Sequence, residues 1–128
     1  MNMEIAVEKI AAIFYFILAL SFLVNPKFWV SYVNDWKSRK PTPNDAFLFF
    51  HLMLSLLIVV FHNTWGWNLP VVITVIGWIG LTKITLYFLF PKFFMGLVPD
   101  WKNFELLFRL DGGAGVIVMG LILHNLYF

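Results

Sequence analysis

The sequence predicts an all-α fold that lives in a membrane: four transmembrane helices arranged as two tandem, parallel-repeat helical hairpins with interfacial connector helices. Three observations predict it. Of the 128 residues, 61% are hydrophobic and 12% charged, where a soluble domain carries about 25% charged residues. The apolar residues are gathered into four runs, 5–24, 46–61, 69–90 and 104–127. A twelve-residue stretch also occurs twice without a gap, at 26–37 and 91–102, with seven of its positions identical (Pro, Lys, Phe, Val, Asp, Trp, Lys). Residues 1–128 then form a single transmembrane domain of two repeat units, about 5–65 and 69–128.

The first run, 5–24, is long enough to cross, since a helix needs about 20 apolar residues for a hydrocarbon core about 30 Å thick. It reads as a retained span. Its leading segment carries Glu4 and Glu8 where a cleaved leader has a positive n-region, and the repeat needs it as the first helix of the first unit. Pro26 stops it, because proline disfavours helix at the residue before it and supplies no N–H. Phe28, Trp29, Tyr32, Val33 and Trp36 then recur at helical spacing, apart from Lys27, Ser31, Asp35 and Lys37. That is the pattern of a short helix lying flat at the membrane interface. Lys27, Trp29, Trp36, Lys92 and Trp101 are the expected interfacial anchors.

The second run, 46–61, is short for a span and borrows interfacial residues at its ends. The third, 69–90, ends at Pro91 as the first ends at Pro26, and the fourth follows the second connector. The chain closes on His124-Asn125-Leu126-Tyr127, which parallels His62-Asn63-Thr64-Trp65 at the end of the second run, so residues 125–128 read as native. Lysine and arginine lie in both proline connectors, and 62–68 has neither. The positive-inside rule therefore puts connectors 25–45 and 91–103 in the cytoplasm and both termini on the outer side.

Ionisable groups inside spans are costly and usually have a partner or a purpose. His51, Lys83, Arg109 and Asp111 all fall about 8–12 Å inside the cytoplasmic half, at about 1.5 Å per residue. A Lys83–Asp111 ion pair is expected, with Arg109 snorkelling to the headgroups or joining it and His51 completing a polar cluster. The cluster is either a staple that fixes helix pairing or a small site for an ion, a proton or an anionic group. Gly112, Gly113, Gly115 and Gly120 mark the fourth helix for close packing. His62 and His124 read as interfacial polar residues rather than a metal pair. The chain has no cysteine, which excludes disulfides and thiolate chemistry. No nucleophile–base pair or metal-ligand set is evident, so no catalytic residue, metal or cofactor is expected. The net charge of +2 suggests no nucleic-acid partner.

Leu89-Phe90-Pro91-Lys92-Phe93-Phe94, followed by Leu107-Phe108-Arg109-Leu110-Asp111-Gly112-Gly113-Ala114-Gly115 and an aliphatic tail, resembles the YjeT-like small inner-membrane proteins. That family has a two-helix unit with a Y-P-K-x-W turn followed by L-R-x-x-G-G-G. Asp111 and the doubling depart from it. The resemblance implies a bacterial-type inner-membrane protein and no chemistry. Two functions fit the sequence. One is an accessory or assembly subunit of a larger membrane complex, its partners being lipids and other subunits or copies of itself. The other is a small oligomeric channel or transporter lined by the polar cluster.

Overall fold

The structure, a computed structural model, describes residues 2–38, 46–97 and 104–128. Every regular element among them is α-helical: α1 Met3–Val24, α2 Pro26–Ser38, α3 Ala46–Phe61, α4 Val71–Leu89, α5 Pro91–Leu97 and α6 Phe104–Tyr127. The order long, short, long occurs twice, and each short helix begins on the proline of the repeated stretch. Proline fits the first position of a helix, where its missing N–H would be unpaired anyway. The preceding helices close on the residue before it: Asn25 N–H donates to the Ser21 carbonyl at 2.8 Å and Phe90 N–H to that of Leu86 at 2.8 Å. At the start of α1 the Asn2 side chain accepts the Glu4 N–H at 2.8 Å, an N-terminal cap. α4 begins with a tighter turn, with Val71, Val72 and Ile73 bonding back three residues to Asn68, Leu69 and Pro70.

Among the described residues three helices are long and apolar enough to cross a membrane: α1, α4 and α6 from Glu105. α3, at 16 residues, spans about 24 Å at about 1.5 Å per residue, short of the bilayer's hydrocarbon core. Large apolar side chains stand exposed along all of them, including Ile10, Ile13 and Ile17 on α1, Met53 and Val60 on α3, and Ile79 and Leu89 on α4.

The described residues fall into two compact units that do not follow the sequence repeat. The first holds α1 up to Ala11 with α3, α4 and α5; the second holds α1 from Ala12 with α2 and α6. In the first unit α3 and α4 run antiparallel. Ile58 lies against Gly77 and Ser55 against Gly80, while Phe49 meets Phe88 with ring centroids 5.1 Å apart. Gly77 and Gly80, three residues apart on one face, let α3 come this close. Ile58, Ile73, Leu54 and Ile84 are buried along the seam. In the second unit Gly112 and Gly115 of α6 sit on Ala19 of α1. A Cβ built on Gly112 would stand 2.6 Å from the Ala19 carbonyl oxygen and 2.7 Å from the Leu23 nitrogen. The glycine seams thus pair the second apolar run with the third and the first with the fourth, whereas each tandem hairpin would pair neighbours within one repeat.

α2 packs on α6 and is tied to α1. The Trp29 indole N–H donates to Ser21 Oγ at 2.7 Å, and its ring stands edge-on to Phe22 at 5.0 Å. Phe22 in turn meets Phe108 of α6 at 4.9 Å.

Candidate functional site

The most organised polar site lies where α3 gives way to α4, in the first unit. Each residue of His62-Asn63-Thr64-Trp65 is engaged there. His62 is fully buried, as is Thr74, and Glu8 is 9% exposed. Glu4 and Glu8 are four residues apart on α1, hence on one helix face. The Thr64 hydroxyl donates to Glu4 Oε1. Glu8 Oε1 lies 2.7 Å from His62 Nε2. The other ring nitrogen, Nδ1, lies 3.0 Å from Thr74 Oγ1. Beside them Asn63 Oδ1 accepts two indole N–H groups, from Trp65 at 2.9 Å and Trp78 at 3.1 Å.

Counting hydrogens fixes how this network works. A threonine hydroxyl has one hydrogen to give and two lone pairs to accept with. Thr74 donates its hydrogen to the His62 carbonyl at 2.9 Å. Its oxygen therefore accepts, from the Thr64 N–H at 3.2 Å and from His62 Nδ1. Nδ1 carries a proton, and Thr74 sets the tautomer. Nε2 then faces Glu8 across a bond that holds one hydrogen. The pair is either imidazolium with carboxylate or neutral imidazole with carboxylic acid, and it is electrically neutral in both forms. Such a pair is far cheaper to bury than a lone ion. Hydroxyl, imidazole and carboxylate in series resemble a nucleophile–base–acid triad. Here Thr74 is buried and its hydrogen is committed to a peptide carbonyl, so it offers no nucleophile. The site can hold a proton and clamp three segments together.

His62 is thus buried and hydrogen-bonded on both ring nitrogens, an engagement that its reading as an interfacial polar residue did not include. His124 is exposed and stacks on Phe128 at 5.6 Å. Among the described residues no cluster of three or more His, Cys, Asp or Glu could hold a metal ion.

Of the expected polar cluster, His51 and Lys83 come together in the first unit. They line a cleft of about 130 Å³ walled by Ile84, Tyr87 and Phe94. Arg109 and Asp111 belong to the second unit. Arg109 pairs with Glu105 one turn earlier on its own helix at 3.2 Å, and Asp111 is exposed. Lys27 and Lys92 are exposed at the starts of α2 and α5, while Trp29 is half-buried and bonded to α1. Trp36 lies in α2, and Trp101 lies outside the described residues. Of the expected packing glycines, Gly112 and Gly115 meet α1, and Gly120 makes an ordinary contact with Phe16 at 3.7 Å. Gly113 has open space about it, because it is turned about 100° from Gly112 on the helix.

Comparison with family models, curated proteins and solved structures finds no match.

Proposed function

We propose that the chain is a four-span integral membrane protein that acts as an accessory or assembly subunit of a larger membrane complex. One observation carries this reading. Leu107, Leu110, Ala114, Ile117 and Leu121 recur at alternating three- and four-residue spacing on α6, and all five are exposed. This is the stripe that a partner helix packs against. Asp111 is exposed next to it, and among the described residues no cation pairs with it. A carboxylate left facing lipid in mid-span costs about 2.5–3.5 kcal/mol on the insertion scale. A partner helix that covers the stripe and answers the charge removes that cost.

The test is purification from native membranes in a mild detergent. The chain is expected to run in an assembly much heavier than itself, and Asp111→Asn to leave that assembly while keeping its helix content. A lone monomer from native membranes would overturn the reading. The alternative, a small oligomeric channel or transporter, draws on the Lys83–His51 cleft. It calls for a homogeneous oligomer that carries flux in liposomes, lost in Lys83→Met.

The proposed topology places both proline connectors in the cytoplasm. Because the chain has no cysteine of its own, single cysteines at Ser31 and Gly66, both exposed, report sides directly. An impermeant thiol reagent added outside intact cells is expected to label Gly66→Cys and to spare Ser31→Cys until the cells are opened.

A further inference from the structure

We propose that the cleft between α3, α4 and α5 binds an anionic phospholipid by its headgroup. This rests on the membrane reading of the chain and is independent of the subunit role. Two observations point to an occupant. Lys83 lines the cleft and is exposed, and among the described residues no carboxylate pairs with it. Ser55, fully buried behind the cleft-lining Gly80, has a hydroxyl with no hydrogen-bond partner among the described residues. Buried hydroxyls nearly always have one, and an orphan in a native structure calls for an explanation.

The geometry brings these groups to one place. Gly80 lines the cleft, and the point where its Cβ would stand lies 2.6 Å from Ser55 Oγ and 3.4 Å from the His51 ring. The absence of a side chain at 80 thus gathers a hydroxyl and an imidazole beside the cleft, with Lys83 one turn further along α4. The remaining walls are apolar: Leu48 from α3, Ile84 and Tyr87 from α4, and Phe94 from α5. Tyr87 and Phe94 meet edge to face at 6.0 Å. The cavity, about 130 Å³, equals the volume of about four waters. It accommodates a headgroup fragment and leaves the acyl chains outside, along the exposed apolar sides of α3 and α4.

A cation at the mouth selects for net negative charge. A hydrogen-bond donor and acceptor beside it suit a phosphate ester, and apolar walls suit the carbon atoms that follow. Lys83 lies six residues before the end of α4, about 9 Å from it at about 1.5 Å per residue. A lysine that extends toward the interface meets a lipid phosphate at that depth.

Native mass spectrometry of the purified full-length chain, offered equal phosphatidylglycerol and phosphatidylcholine, tests this. Phosphatidylglycerol is expected to be retained about fivefold over phosphatidylcholine, the size of one basic residue's contribution at a lipid surface. The preference should vanish in Lys83→Met, weaken in Ser55→Ala, and persist in Lys83→Arg and in Lys27→Met, which removes an exposed lysine away from the cleft. Equal retention of the two lipids by the natural chain would overturn the proposal. So would a Lys83→Met variant that keeps the preference, a Lys27→Met variant that loses it equally, or displacement of the lipid by inorganic phosphate alone. If Lys83→Met fails to purify as a helical species, the natural chain and Lys83→Arg decide the matter.

Discussion

Gly112→Leu is expected to unfold the second unit or lower its stability by about 3 kcal/mol, the upper end of what overpacking costs. The cause is specific. A side chain at 112 would drive into the Ala19 carbonyl oxygen, the Leu23 nitrogen and Phe22 Cβ, all within 2.9 Å of the new Cβ. Two of these are backbone atoms, which cannot swing aside as the end of a flexible side chain can. Relief requires α1 and α6 to part, and the seam at Gly115 parts with them. Gly113→Leu is the matched control. It adds the same side chain to the same helix one residue away, where nothing lies within 4 Å, and should change stability by no more than about 0.5 kcal/mol. Denaturation in detergent micelles followed by circular dichroism measures both. Equal tolerance of leucine at 112 and 113 would show that the α1–α6 contact is not what holds this unit together.

The second large effect is expected at Glu8. Glu8→Leu leaves a ring nitrogen of His62 buried with nothing to bond, which costs about 1–3 kcal/mol. Glu8→Gln keeps the shape and supplies both an N–H and a carbonyl, so it can complete the bond to Nε2 whichever way that bond points, and should cost about 1 kcal/mol or less. The ordering, leucine worse than glutamine, separates a hydrogen-bonded clamp from simple burial. Were burial alone at work, leucine would be as stable as the natural acid or more so. The same pair of variants reports on the hydrogen count: nitrogen NMR of His62 should find the Nδ1 proton present in the natural chain and in Glu8→Gln, because Thr74 fixes it from the other side.

Much of this architecture was legible from local pattern. The apolar runs at 46–61 and 104–127 coincide with α3 and α6 to the residue. Pro26 and Pro91 mark the starts of α2 and α5 because proline's geometry acts on its immediate neighbours. Helix pairing was not legible in the same way. It depends on which glycine face meets which small or branched side chain, and Gly77 with Ile58 or Gly112 with Ala19 are matches of shape between distant segments. The buried network was missed for a related reason. Glu8 and His62 are 54 residues apart, and each had a sufficient local reading, an acid in the leading segment of one span and a polar residue after another. A signal was nonetheless present. The topology expected from the sequence puts the start of the first run and the end of the second at the same membrane face. Two acids on one helix face there, opposite a histidine and a threonine, are natural partners. Lys83 and His51 line one cleft because α3 and α4 run antiparallel along a short seam.

The Glu8–His62 bond also sets a schedule for synthesis. The ribosome delivers α1 well before His62, so the growing chain carries its acid with no imidazole yet made to meet it. Nor is the clamp finished by His62 alone, because the hydroxyl that orients the ring arrives twelve residues later still. Nascent chains halted before Thr74 should therefore lack the finished clamp, and longer ones should carry it.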